Sequence, residues 1–419
     1  MTQENNNFGT LGIAPHLLDV LEKLNFTTPT PIQAQAIPVG IEGKDLVGIA
    51  QTGTGKTMAF AIPMIQRIAN MKGQGLVVLP TRELALQVEE TFVKIGRSFG
   101  LRTTSLIGGA PINKQKKQLR QNPHIILGTP GRILDHLEQK TLNFKNVNVL
   151  VLDEADRMLD MGFAPQINKI LAVVPKKRQT MLFSATMPEN IINIARKEMK
   201  MPVRVEIARS GTTSENVEQE LFIVTKEKKK ELLEKILLVD RGSTLVFSRT
   251  KHGAKKLRVA IEQMGHTAAE IHSNRSLGQR KKALEGFKSG KFRVLVATDI
   301  AARGIDVQGI ALVVNYDLPQ VAEDYTHRIG RTARAGSKGR AITFAIPSEG
   351  RQIKDIENLI RAAIKITKVP GVTQDRLHMS KGNAQAGFGG GRRSGNQNRR
   401  RPNNNFRGRG RGRGPRKRR

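Results

Sequence analysis

The sequence predicts two tandem α/β domains, each built on a mainly parallel sheet flanked by helices, followed by a disordered basic tail. Three observations carry this expectation. Short β-branched runs alternate with helical patterns from about residue 30 to 207, and a second series of the same kind runs from about 218 to 368. Residues 377–419 then hold 14 Lys and Arg and no Asp or Glu. A chain of 419 residues is also too long for one ordinary core, and 38% hydrophobic residues are enough to pack two.

In chain order, the first domain (residues 1–207) shows the runs LVGIA, LVVLP, HIILGTP, VNVLVLDEAD and QTMLFSAT, each ending in a polar or Gly-rich cluster before a helical pattern. Short apolar runs separated by helices argue for a parallel sheet covered on both faces, with functional loops at the carboxyl ends of its strands. The polar stretch ARSGTTSENV (208–217) reads as a linker. The second domain (218–368) repeats the pattern with STLVFSRT, HTAAEIH, KFRVLVATD, GIALVVNYD and GRAITFAIP, so a cleft is expected between the two. Residues 369–419, rich in Gly, Asn and Arg and ending FRGRGRGRGPRKRR, have little to bury and read as a disordered, RNA-binding tail.

Charge narrows the partner. Lys and Arg number 70 against 36 Asp and Glu, a formal +34, of which residues 377–419 carry +14 and the rest +20. Such an excess points to a polyanion, with nucleic acid ahead of a membrane surface because no apolar run of 18 residues and no lipidation signal accompany it. The N-terminus MTQENNNFGT is polar and carries Glu4, unlike a secretory signal. Without cysteine there are no disulfides or thiolate metal sites. A cytoplasmic protein is expected.

Two motifs carry chemistry. GIAQTGTGKT (48–57) follows an apolar strand and opens a helix, as a phosphate loop does, although Ala50 stands where the usual pattern has its first glycine. Gly53 and Gly55 allow close backbone approach, Lys56 would reach the β and γ phosphates, and Thr57 would ligate Mg²⁺. A second, acidic site should accompany it. VNVLVLDEAD supplies one: Asp153 would hold Mg²⁺ through water, and Glu154 would orient and deprotonate the attacking water.

With Asp153, Glu154, Ala155 and Asp156 the chain resembles the DEAD-box RNA helicases, and that family's other motifs follow in order. The resemblance implies two RecA-like domains, ATP and Mg²⁺ as cofactors, and RNA as partner. FTTPTPIQ (26–33) resembles the adenine-reading motif. Phe26 and Gln33 are its members, the Gln33 amide offers adenine one donor and one acceptor, and Phe8 is the ring expected to stack on the base. Thr52, Gly53, Thr54, Gly55, Lys56 and Thr57 complete the phosphate site. PTRELALQ, Gly108-Gly109 and TPGR imply RNA contacts from Thr81, Arg82, Gly109, Thr129 and Arg132. Ser184 and Thr186, in SAT, imply coupling of ATP state to closure. In the second domain Arg280 and Thr298 are implied to face RNA and Asp306 the ribose. Arg328 and Arg331, in HRIGRTARAG, join Glu154 and Lys56 as catalytic groups, and their spacing of three allows one shared helix face. Departures are Asn25 and Ala333, each in place of glycine, and Leu277, in place of a Gln that would contact RNA. The short N-terminus and Arg/Gly/Asn-rich tail are similar to the bacterial RhlE type.

The expected function is therefore an ATP-dependent RNA helicase that binds single-stranded RNA and ATP across its cleft, melts short duplexes and remodels RNA or its protein complexes. An ATP-gated RNA clamp or annealing protein is the alternative, against which Glu154 and the two arginines argue. A DNA translocase is a third reading, disfavoured by the adenine-reading and SAT motifs.

Overall fold

The computed structural model describes residues 7–51, 53–71, 73–207, 217–302, 310–332 and 339–367. The expected tail, Thr52, Asp306, Ala333 and most of the expected linker lie outside these residues.

The first lobe contains seven strands: β1 (Leu46–Ile49), β2 (Gln74–Val78), β3 (Thr103–Leu106), β4 (Ile125–Gly128), β5 (Val147–Leu152), β6 (Gln179–Ser184) and β7 (Val203–Glu206). The second contains β8 (Val217–Ile223), β9 (Thr244–Phe247), β10 (Ala268–Ile271), β11 (Val294–Ala297), β12 (Leu312–Asn315), β13 (Gly339–Ala345) and β14 (Lys365–Ile366). The sheets run β3-β4-β2-β5-β6-β1-β7 and β10-β11-β9-β12-β13-β8-β14. Strand for strand these are one topology used twice. Every described pairing is parallel, from Leu46 opposite Met181 in one sheet to Val294 opposite Thr244 in the other. The ten strands read from the sequence are present. β3, β7, β8 and β14 were not anticipated, because TTSL, VRVE, VEQELFI and KI mix polar with apolar residues and lie toward sheet edges. β8 begins at Val217, the last residue assigned to the linker.

Alternation along the strands divides each core in two. In β5, Val149 and Val151 join an apolar cluster with Phe60 and Phe183, while Leu150 and Leu152 join another with Ile133 and Ile167. Successive strand side chains point to opposite faces, so a continuous apolar run fills both. The second lobe repeats this with Val313 on one face and Leu312 and Val314 on the other. No helix among the described residues is long and apolar enough to cross a membrane.

Candidate nucleotide site and interlobe face

The phosphate loop leaves β1 and runs into the helix Lys56–Met71. Gly53 and Gly55 have φ of +87° and +92°, a region that side chains disfavour. A Cβ at Gly55 would also lie 2.4 Å from Gln33 Nε2. Gln33 explains the closeness: its Nε2 donates to Gly55 O at 3.1 Å and its Oε1 accepts from Thr30 N at 2.9 Å. The 26–33 segment is thus bonded directly to the 53–57 loop. Lys56 is buried and donates to Ala50 O at 2.8 Å, so the residue replacing the motif's first glycine contributes through its carbonyl. Thr54 Oγ1 donates to Gln51 O at 2.7 Å, and Thr57 is half-buried in the helix's first turn.

Two aromatic expectations separate. Phe8 is 4% exposed and belongs to the first lobe's apolar cluster, where packing already occupies it, whereas Phe26 is 41% exposed. Asn25 takes φ of +60°, a left-handed turn that asparagine tolerates better than most residues, which explains how it replaces glycine.

β5 delivers the acidic pair. Glu154 has φ 51° and ψ 50°, a left-handed conformation unusual for a non-glycine residue, and turns the chain from strand into the helix Ala155–Asp160. Its amide donates to Asp153 Oδ1 at 2.9 Å. Burial pushes Asp153 up to about 7, with Glu154 adding and Lys56 opposing, so this carboxyl is short of positive charge. That electrostatic deficit fits a cation held by Asp153 and Thr57. Burial also pushes Glu154 upward, but Arg157, Lys56 and Arg331 more than offset it and leave it below the usual carboxylate range. Arg157 NH1 donates to Glu154 Oε2.

Asp156 had no role in the sequence reading, yet its Oδ2 accepts from Ala185 N (3.0 Å), Thr186 N (2.8 Å) and Thr186 Oγ1 (2.9 Å), while its own amide donates to Ser184 Oγ (3.3 Å). Both coupling residues are therefore tied to the acidic motif. The signal was present in the sequence as the fourth letter of that motif.

The two arginines part company. The helix Ala322–Ile329 ends at Gly330, so Arg331 lies beyond it and the expected shared helix face does not exist. Arg331 is 5% exposed and its charge reaches Glu154 of the other lobe. Arg328 turns into its own lobe: Nε and Nη2 donate to the two oxygens of Asp299 at 2.5 and 2.8 Å, and Nη1 donates to Asp317 O at 2.6 Å and Asn315 Oδ1 at 3.2 Å. The ring of Phe247 covers its guanidinium at 4.9 Å. Arg331 thus bears on Glu154 across the lobes, whereas Arg328 is engaged within its own lobe. Next to Arg328 in the chain, His327 is held below its usual range by burial and by Arg157 and Arg331, with Asp156 and Asp324 opposing.

The residues expected to face RNA are mostly anchored within the fold. Thr81 caps the helix Arg82–Gly96, accepting from Leu84 N at 3.3 Å. Arg82 lies across Gly108-Gly109, where a Cβ on Gly109 would meet its Nη1 at 2.4 Å, and Gly109 itself has φ +77°. Thr129 precedes the helix Pro130–Glu138, and Arg132 of that helix donates to Ala110 O (3.1 Å) and Gln115 Oε1 (3.2 Å). Thr298 is half-buried, directly after β11. Arg280 reaches across to the first lobe: its Nη2 lies 2.6 Å from Glu83 Oε2, with both side chains 9% exposed. Burial lowers its pKa, Glu83 opposing and Arg82 adding.

The comparisons agree with this geometry. Residues 30–194 match the DEAD/DEAH box helicase family, and residues 227–336 match the helicase conserved C-terminal domain. The DEAD-box ATP-dependent RNA helicase CshA of Bacillus cereus (strain ATCC 10987 / NRS 248) is 46% identical over 353 residues, covering 84% of this chain and 67% of the relative. The ATP-dependent RNA helicase DbpA of Bacillus subtilis (strain 168) is 42% identical over 380 residues, covering 90% and 79%. Among solved structures, S. cerevisiae Dbp5 bound to RNA and ADP BeF3 superposes with a TM-score of 0.77 at 31% identity, covering 87% of this chain and 95% of that one. A twice-used parallel sheet, a phosphate loop facing an acidic strand end, and matches of this extent together place the chain in the DEAD-box family of ATP-dependent RNA helicases.

Proposed function

We propose that this chain is an RNA-stimulated ATPase that closes its lobes on single-stranded RNA, separates short duplexes and remodels RNA or RNA–protein complexes in the cytoplasm. The observation that carries the reading is the convergence on Glu154 of Lys56 and Arg157 from its own lobe and Arg331 from the other. In this reading Glu154 is the hydrolytic base and its set of cations is complete only when the lobes meet, which would tie turnover to closure.

The amides of the 53–57 loop, at a helix N-terminus, would cradle the phosphates, with Lys56 drawn toward the β and γ groups. Asp153 and Thr57 would hold Mg²⁺, which when bound neutralises charge on those phosphates. Glu154 would orient the attacking water and accept its proton, and Arg331 would stabilise charge on the transferring group. Gln33, with the exposed ring of Phe26 in the same motif, would set preference for adenine, and the packed Phe8 would support it from beneath the surface. Asp306 would approach the ribose. Asp156 would pass the state of this site to Ser184 and Thr186. Thr81, Arg82, Gly109, Thr129, Arg132, Arg280 and Thr298 would form the RNA face. In this scheme residues 1–207 and 218–368 are the two catalytic domains, and residues 369–419 add sequence-independent RNA affinity. Relatives named as ATP-dependent RNA helicases, and a neighbour solved with RNA and ADP BeF3, support the reading.

The test compares ATP turnover with RNA and DNA of equal sequence, since only RNA offers 2′-hydroxyls, and follows release of a labelled strand from a short duplex. Stimulation by RNA with ATP-dependent strand release is expected. Equal stimulation by DNA would overturn the choice of substrate, and turnover without strand release would favour the clamp or annealing alternative.

A further inference from the structure

The helix Leu277–Lys288 starts from a rigid first turn. Ser276 Oγ accepts from Gln279 N at 3.3 Å, and Gln279 Oε1 accepts from Ser276 N at 3.0 Å. Leu277 and Arg280 are three residues apart and so share one face of this helix. Both turn toward the other lobe. Arg280 meets Glu83, and Leu277, half-buried, packs against the first lobe's apolar cluster that includes Leu84 and Ile107.

These two contacts differ in physical character. The attraction of the ion pair is opposed by the desolvation of both buried charges, so alone it is a weak fastener. Burial of leucine is non-directional, carries no desolvation penalty and is insensitive to salt. Arg280 also lies near Arg82, which stands on the proposed RNA face, and Glu83 sits beside both in the chain or in space. Leu277 therefore places an apolar contact between the lobes beside the buried ion pair.

We infer that Leu277 is a positioning residue, which seats the second lobe's helix on the first lobe and so sets Arg280 against Glu83, beside Arg82 of the proposed RNA face. The inference rests on the proposed RNA-dependent closure and names a part of the second lobe that completes the first lobe's RNA face. It makes closure partly apolar, so the Leu277 contribution should outlast added salt.

The experiment uses the full chain and its Leu277→Ala, Leu277→Gln and Leu277→Met variants, binding an unstructured oligouridine with and without AMP-PNP and Mg²⁺, at about 50 and 300 mM salt, a range over which surface charges become well screened. The parent should bind RNA more tightly with AMP-PNP. The Ala and Gln variants should lose about three- to tenfold of that affinity, the scale of losing part of a leucine's burial, by a similar factor at both salts. Leu277→Met, which keeps apolar contact, should follow the parent. If Leu277→Gln binds RNA as well as the parent or better, residue 277 faces RNA and the inference fails. Equal losses with and without AMP-PNP would confine Leu277 to packing in its own lobe and also overturn it. A parent whose affinity ignores AMP-PNP would instead overturn the proposed closure itself, whereas a responsive parent matched by every variant would overturn only the role of Leu277.

Discussion

Asp156 holds Thr186 through two hydrogen bonds to a single carboxylate oxygen, one from the backbone amide at 2.8 Å and one from the hydroxyl at 2.9 Å. The acidic strand end and the segment after the neighbouring strand are therefore tied together. Replacing Asp156 by Ala removes the acceptors of four donors at once, counting Ala185 N on the same oxygen and Arg157 N on Oδ1. Hydrogen bonds to a charged group contribute about 1.5–3 kcal/mol each, so the variant should unfold at lower temperature by calorimetry, with a loss of at least about 3 kcal/mol. RNA should also stimulate its ATP turnover less, and full stimulation would show that the contact is only structural.

Glu154→Gln should keep ATP and RNA binding while abolishing turnover, because the amide preserves shape and removes the base. Lys56→Ala should weaken nucleotide binding itself. Equilibrium binding of a fluorescent ATP analogue beside steady-state phosphate release separates the two. Parental hydrolysis by Glu154→Gln would assign the base elsewhere.

The divergence of Arg328 and Arg331 gives opposite expectations for identical substitutions. Arg331→Ala should fold normally and lose about 10³ to 10⁵ in hydrolysis, the scale of an arginine acting on a transferring phosphoryl group. Arg328→Ala leaves Asp299 without its partner and removes a buried cation, so it should lose about 3–5 kcal/mol of stability by denaturant titration. A loss below about tenfold for Arg331→Ala would make that residue structural.

His327 gives a pH expectation. Burial and the charges of Arg157 and Arg331 depress its pKa below the unfolded value, against Asp156 and Asp324. Between the two values the unfolded chain binds more protons, so the stability that neutral His327 provides is present above about pH 6.5 and is lost as pH falls toward its folded pKa. Melting temperatures at pH 7.5 and 5.5 should therefore differ less for His327→Gln than for the parent. An equal drop in both would remove His327 from the acid sensitivity.

Truncation to residues 1–376 should preserve RNA-saturated ATP turnover and weaken RNA binding without regard to sequence. The removed segment carries +14. Each phosphate neutralised on a single strand adds roughly 0.7 to the slope of log affinity against log salt, so engaging five would add about 3.5. Equal slopes for the two proteins would mean that the tail does not touch RNA, and lost turnover would make it part of the catalytic machinery.

Periodicity and local chemistry determined much of this protein. β-branched runs ending in Gly or acidic residues marked ten strands and the loops at their carboxyl ends, because parallel strands buried on both faces need unbroken apolar sequence. The Gly-Lys-Thr turn and the Asp153–Glu154 pair were legible for the same reason, since close phosphate approach and charge at a strand end restrict residue type locally. The strands that mix polar residues, β3, β7, β8 and β14, were set by the neighbours they pair with. The fates of individual charged side chains were likewise decided by tertiary structure. Arg328 and Arg331 look equivalent along the chain, but the helix ends between them, and only the folded lobe supplies Asp299, Asn315, Asp317 and Phe247 to capture the first. Arg280 meets Glu83, nearly two hundred positions earlier, only because the fold brings the two lobes into contact there. Apolar burial is written into local sequence pattern, whereas the partner of a buried charge depends on what lies across the fold.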